Sequence, residues 1–205
     1  MLITFEGIDG CGKTTQINNL TEYLNSRNLQ VTVFREPGGT SLSEKIRDLL
    51  LHETDEMDFR TELLLFSAAR SQLVVEKVIP LLNKGELVIL DRYYDSTVAY
   101  QGYGRNSIQI DHIHFLNKLA THNTVPDITF YLSISPEIAS KRTQNNQKDR
   151  MEKAGMAFFE RVKNGYDLLA KKNERFITID SAREPETVFQ EIKAAFDSEF
   201  SSRSR

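Results

Sequence analysis

The sequence predicts an α/β protein: a parallel sheet of about five strands with helices packed on both faces. Three observations carry that prediction. Short apolar runs of strand length recur along the 205 residues, longer segments with helical apolar spacing separate them, and a glycine-rich turn joins the first run to the first helical segment. Strands joined by helical crossovers run parallel, because each crossover returns the chain to the same end of the sheet.

The first run, 2–6, reads Leu-Ile-Thr-Phe-Glu and is followed at once by the glycine-rich turn. Segment 14–24 then places Ile17, Leu20 and Leu24 on one helical face. Further strands are predicted over 31–35, 87–90, 128–132 and 176–179. Helices are predicted over 61–82, 111–120, 136–142, 158–170 and 185–196. In such a doubly wound sheet, ligands are expected beyond the carboxyl ends of the strands. No internal repeat is visible. The polar run Thr143-Gln144-Asn145-Asn146-Gln147-Lys148-Asp149-Arg150 has no apolar anchor and predicts a mobile surface segment, and 201–205 predicts a frayed tail.

Apolar residues make up 40% of the chain and charged residues 27%, ordinary for a globular protein. The length suits one sizeable core and no stretch reads as a linker, so a single domain over 1–205 is expected. A formal net charge of -3 gives no electrostatic reason to expect nucleic acid as a partner. The one cysteine, Cys11, cannot form an internal disulfide and fits a reducing compartment. The first residues lack a basic region and are interrupted by Glu6, and no run approaches the roughly 20 apolar residues of a membrane span. A cytoplasmic protein without membrane contact is the expectation.

Gly7-Ile8-Asp9-Gly10-Cys11-Gly12-Lys13-Thr14 fits G-x-x-x-x-G-K-[ST], after a predicted strand and before a predicted helix. The pattern predicts a P-loop NTPase-type three-layer sandwich. Its glycines permit loop conformations closed to bulkier residues, and its backbone N–H groups, with the helix N-terminus, can surround phosphates. Lys13 is placed for the β- and γ-phosphates of a nucleotide and the Thr14 hydroxyl for Mg²⁺. Asp91 ends an apolar strand and suits the neighbourhood of the same ion, although an acid there also serves as a turn former or helix cap.

Phosphate loops serve GTPase switches, ATP-driven binding proteins and kinases, so the class must be decided elsewhere. A guanine signature is lacking: Asn117-Lys118-Leu119-Ala120 has no acid at its end. Arginines recur near predicted strand ends and loops, at 35, 47, 70, 92, 105, 142, 150 and 161. Transfer between two phosphorylated substrates has a physical use for several guanidinium groups.

Phe5-Glu6-Gly7-Ile8-Asp9-Gly10-Cys11-Gly12-Lys13-Thr14-Thr15-Gln16, then Arg35-Glu36-Pro37-Gly38-Gly39-Thr40, then Asp91-Arg92-Tyr93 with Ser96 and Ala99-Tyr100-Gln101-Gly102, resemble the ordered signatures of bacterial thymidylate kinases. The resemblance runs to about residue 166 and more loosely beyond. It implies phosphoryl transfer from ATP, with Mg²⁺, to dTMP, and commonly a homodimer. It implies that Gly7, Gly10, Cys11, Gly12, Lys13, Thr14, Thr15 and Arg142 hold the donor, with Arg142 packed on adenine.

Asp9 is implied to approach the acceptor's 3′-hydroxyl, although on chemistry alone it equally stabilises a turn. Arg35, Pro37, Arg47 and Arg92 are implied around the acceptor phosphate. Phe66 and Arg70 stand four apart on one helical face, where Phe66 would ordinarily be core; the resemblance implies stacking on thymine and a hydrogen bond to a base carbonyl. Ser96, Thr97, Tyr100 and Gln101 are implied near the base and sugar, and Tyr93 against a ribose 2′-hydroxyl. Read without the family, Tyr93, Tyr94, Tyr100 and Tyr103 form only an aromatic helix start whose hydroxyls could be exposed.

The loop carries no arginine between Gly7 and Lys13, and the resemblance implies that a lid over 143–155 supplies one, Arg150, from Asp149-Arg150-Met151-Glu152. The expected catalytic set is Lys13, Asp9, Arg92 and Arg150. Two other readings share the loop: a deoxynucleoside kinase, whose uncharged acceptor needs no phosphate-binding arginines, and a nucleotide-dependent regulatory or binding protein.

Overall fold

The fold is taken from a computed structural model, which describes residues 1–52, 56–145, 150–151 and 154–203. Five strands, β1 (Leu2–Glu6), β2 (Val31–Arg35), β3 (Leu87–Asp91), β4 (Ile128–Ser133) and β5 (Phe176–Asp180), form one parallel sheet in the order β2-β3-β1-β4-β5. β1 is central, and all five of its residues are buried. Its neighbours β3 and β4 leave it on opposite sides, so the sheet's topological switch lies above its carboxyl end. β2, at an edge, is half exposed.

Helix α1 (Lys13–Ser26) buries Ile17, Leu20 and Leu24 in the main core with Ile3, Phe5 and Phe130. α2 (Ser41–His52) was not anticipated. Thr40 starts it: its Oγ1 accepts the Ser43 amide at 3.1 Å, and Ile46 and Leu50 turn inward.

The single helix expected over 61–82 is three segments. α3 (Phe59–Leu73), capped by the Asp58 carboxylate, widens into a π-helical turn, Val74–Val78, and continues as α4 (Ile79–Asn83). Pro80 has no N–H for the regular ladder, and the Ile79 amide reaches five residues back to the Val74 carbonyl. A second widening follows α5 (Tyr94–Thr97). Val98–Gly104 is π-helical, and the Arg105 amide bonds the Tyr100 carbonyl at 2.9 Å.

α6 (Ile110–Ala120), α7 (Pro136–Arg142) and α8 (Met156–Lys172) complete the packing. α9 (Pro185–Arg203) corrects the expected tail: 201–203 are helical, and 204–205 lie outside the described residues. No described helix is long and apolar enough to cross a membrane.

Candidate active site

β1 ends at Glu6 and α1 starts at Lys13, so the glycine-rich turn sits over the sheet's switch point. Gly10 has φ of +85°, and a Cβ there would lie 2.6 Å from the Ala139 carbonyl oxygen; a side chain is excluded twice over. Lys13 is buried under its own loop, its Nζ donating to the Gly7 and Ile8 carbonyls at 3.2 and 3.4 Å. A cavity of about 430 Å³ opens here. Gly10, Gly12, Lys13, Thr14 and Thr15 line its loop end, with Arg142 and Thr143 beside them.

Arg92 links this loop to β3. It is a non-glycine residue at φ +70°, held there by its amide's bond to the Phe5 carbonyl at 2.9 Å. That turn brings its guanidinium to the Gly7 carbonyl at 2.8 Å and to Asp9 Oδ1 at 2.6 Å, over the Tyr100 ring at 4.9 Å. The Tyr100 hydroxyl donates to the other Asp9 oxygen at 3.1 Å. Burial pushes the Asp9 carboxyl up, but Arg92, Lys13 and these hydrogen bonds outweigh it and lower the pKa to about 2. Asp9 is therefore an acceptor of hydrogen bonds at neutral pH.

Asp91 and Thr14 line the same stretch of cavity, and Asp91 Oδ1 is a buried oxygen without a hydrogen-bond partner. Among the described residues no cluster of three or more His, Cys, Asp or Glu could hold a metal alone. One carboxylate and one hydroxyl, completed by phosphate oxygens and water, form the sparse oxygen set that suits Mg²⁺. The residues present fit that ion.

The far end of the cavity is made by Glu36, Pro37, Arg47, Phe66, Arg70, Thr97 and Gln101, with Arg35 on its exposed rim. Arg70 is 2% exposed and nearly saturated: Nε donates to Glu36 at 2.7 Å, Nη1 to Thr97 and Asn117 at 2.8 and 3.2 Å, and Nη2 to the Tyr93 carbonyl at 3.2 Å. Of its five N–H bonds, one on Nη2 is left over. Burial outweighs this ion pair at Glu36 and raises that carboxyl to about 7. Arg47 donates to the Pro37 carbonyl at 2.8 Å and Arg35 to Glu44 at 3.1 Å.

Four expected site residues do not line the cavity. Gly7 and Cys11 form the underside of the loop, with the Cys11 thiol 1% exposed. The Tyr93 ring, expected against a ribose, lies in a core cluster with Leu73, Val74 and Leu90, and its hydroxyl donates to the Thr124 carbonyl at 3.1 Å. Arg150 is turned onto Glu62, at 2.7 Å, and the Leu50 carbonyl, at 3.0 Å. The notion that the tyrosine hydroxyls are exposed also fails for Tyr93 and Tyr100, both enclosed by packing. Of the expected lid over 143–155, residues 146–149 and 152–153, including Asp149 and Glu152, lie outside the described residues.

The structure adds residues that sequence reasoning passed over. Glu36 sits inside the Arg35-Glu36-Pro37 motif, and its Oε1 is buried without a partner. Glu6 is fully buried beneath Arg92. It accepts from the Tyr93 amide at 2.8 Å, the Ser96 hydroxyl at 2.6 Å and the Tyr166 hydroxyl at 3.0 Å. Burial, reinforced by nearby Asp95, raises its pKa to about 7 against the pull of Ser96 and Arg92. Leu51 and Met151 contribute apolar wall. Only the clustering of Glu6 and Glu36 with recognised motifs could have signalled them.

A phosphate loop at one end of a cavity, and an arginine-bearing, partly apolar pocket at the other, define a phosphate-loop phosphotransferase. Comparison narrows the class. A family model described as thymidylate kinase matches residues 5–192. Thymidylate kinases of Fervidobacterium nodosum and Thermosipho africanus are each 47% identical, over 197 and 194 residues; the alignments cover 96% and 95% of this chain and 98% and 96% of theirs. The crystal structure of thymidylate kinase from Ehrlichia chaffeensis superposes with a TM-score of 0.79 at 38% identity, covering 96% of this chain and 98% of that one. The chain belongs to the thymidylate kinase family, nucleoside monophosphate kinases that phosphorylate dTMP.

Proposed function

We propose that the chain moves the γ-phosphoryl group of ATP onto dTMP, giving dTDP and ADP, with the donor at the loop and the acceptor at the far end of the cavity. The observation that supports this most is the continuity of one cavity from Lys13 to Phe66, Arg70 and Gln101. The loop amides and Lys13 take the donor phosphates, Thr14 and Asp91 would hold Mg²⁺, and Arg142 flanks the adenine. When bound, the ion would neutralise charge on the donor phosphates. Arg92 bridges the reacting phosphates, Asp9 accepts from the acceptor's 3′-hydroxyl, and Arg35 and Arg47 hold the acceptor phosphate. Phe66 stacks on thymine while the spare N–H of Arg70 meets a base carbonyl. Arg150, which lies on Glu62, is the arginine that serves the transferring group.

The reading treats the chain as one cytoplasmic domain that works as a homodimer. Leu64, Phe115 and Leu119, from packed helices α3 and α6, are 55%, 69% and 65% exposed, an apolar face suited to a second copy. Sedimentation of Phe115→Glu tests that face: the variant should run as a monomer.

A coupled assay with ATP, Mg²⁺ and a panel of nucleosides and monophosphates tests the reaction. The expected result is dTMP first, dUMP weaker by a missing methyl, roughly 10–200-fold at most, and thymidine inert. Equal kcat/KM for dCMP or AMP would overturn the thymine pocket, and phosphorylation of thymidine would restore the nucleoside kinase reading. Arg150→Ala should lower kcat with dTMP affinity retained, and Arg150→Lys should recover only part of it, since an ammonium lacks the planar fork.

A further inference from the structure

Glu62 belongs to no recognised motif, yet its carboxylate is 0% exposed and both oxygens are engaged. Oε1 accepts from Gln101 Nε2 at 2.9 Å and Arg105 Nε at 3.3 Å, and Oε2 from Arg105 Nη2 at 3.0 Å and Arg150 Nη1 at 2.7 Å. A carboxylate between two guanidinium groups accepts hydrogen bonds and donates none. Gln101 therefore has to present its amino end to Glu62, and the carbonyl end is what remains for the cavity it lines.

We propose that Glu62 is a positioning residue for base choice: it locks the polarity of the Gln101 amide so that an acceptor, never a donor, faces the pyrimidine. The inference rests on Gln101 contacting the base as read above. Thymine and uracil carry a hydrogen on N3, which a carbonyl oxygen satisfies. Cytosine carries a lone pair there, and against a locked oxygen two acceptors confront each other, leaving both unpaired. An unlocked amide could rotate by half a turn and donate to cytosine. The lock removes that escape, and the spare N–H of Arg70, aimed at a carbonyl, then meets cytosine's amino group with the wrong sign as well.

The test compares kcat/KM for dTMP, dUMP and dCMP. Glu62→Gln presents a side chain that can donate as well as accept, so Gln101 is free to turn; the dTMP:dCMP ratio should fall by about tenfold, one hydrogen bond's worth. The dTMP:dUMP ratio should stay as in the unmodified chain, because both bases carry the N3 hydrogen. Glu62→Asp keeps an acceptor-only group and should restore part of the discrimination. Changes at Arg150 released by these substitutions affect all acceptors alike and cancel in the ratios. A Glu62→Gln enzyme with an unaltered dTMP:dCMP ratio, alongside a Gln101→Ala enzyme that loses discrimination, overturns the lock. If Gln101→Ala also keeps the ratio, the base-contact reading fails and the lock with it. Should Glu62→Gln not fold, the unmodified protein still decides. With ¹⁵N-labelled dTMP bound, NMR should show a through-hydrogen-bond coupling between base N3 and the Gln101 side-chain carbonyl carbon. Its absence, or a coupling from the Gln101 amide nitrogen to a base carbonyl carbon in its place, overturns the proposal.

Discussion

At the loop end the cavity is lined mainly by one short stretch of chain, Asp9, Gly10 and Gly12 to Thr15; at the far end it is lined by side chains from residues 36, 47, 66, 70, 97 and 101, carried by separate elements. The loop's conformation depends on glycines and on β1 and α1, whereas the far pocket depends on charges buried against one another, Arg70 on Glu36 and Arg105 on Glu62. Chemistry and stability should accordingly separate at the first end and travel together at the second.

The strongest way to break that contrast is Arg70→Ala. It strands the Glu36 carboxyl in the interior, and removal of one partner from a buried pair typically costs about 3–5 kcal/mol. Urea unfolding should show a loss of that order, together with a raised KM for dTMP. A stable Arg70→Ala protein would erase the distinction. Lys13→Ala probes the other end: kcat should drop roughly 10²–10³-fold, equivalent to about 2.7–4 kcal/mol of transition-state stabilisation, with an unchanged melting curve. Next in size is a pH effect. Glu36 has its pKa raised to about 7, so its folded form binds a proton more tightly than the unfolded chain does. The stability it contributes is complete below the ordinary carboxyl range near pH 4.5 and is lost as pH rises through 7, at no more than about 1.4 kcal/mol per pH unit. Denaturation measured between pH 4.5 and 7.5 should flatten in Glu36→Gln. The smallest effect belongs to Arg35→Ala. Its exposed pair with Glu44 should contribute under about 1 kcal/mol, so dTMP binding should weaken while stability hardly changes.

The same contrast explains what could be read in advance. The strands were legible because buried parallel strands are continuous apolar runs; Leu87-Val88-Ile89-Leu90 is one, and the structure only adds Asp91 to it. The phosphate loop was legible because its chemistry is local. The helix Ser41–His52 is faint in the sequence although Leu42, Ile46, Leu49 and Leu50 stand at helical spacing, since of these only Ile46 and Leu50 face inward while Leu42 and Leu49 are exposed. The two π-helical turns were invisible for a different reason. A periodicity argument assumes 3.6 residues per turn, and widening at Val74–Val78 and Val98–Gly104 shifts which side chains share a face. Tyr93 was misplaced for a related reason: adjacency to Arg92 in sequence says nothing about direction once Arg92 turns the chain at positive φ. Glu62 gave no signal because a lone acid in an apolar helix looks solvent-facing until its partners from 101, 105 and 150 arrive.

Cys11 fills the underside of the phosphate loop, 3.8 Å from Lys13 Nζ, and a Cβ on Gly7 would fall 2.8 Å from its sulfur. Burial pushes its thiol pKa up, so the group is both shielded and held in its unreactive form. As the chain's single sulfhydryl, it makes the loop a clock. Alkylation by a small maleimide should proceed only when the loop lifts off the sheet, and its rate should count those openings with no residue substituted. Nucleotide seated in the loop should slow the clock, whatever happens at the other end of the cavity.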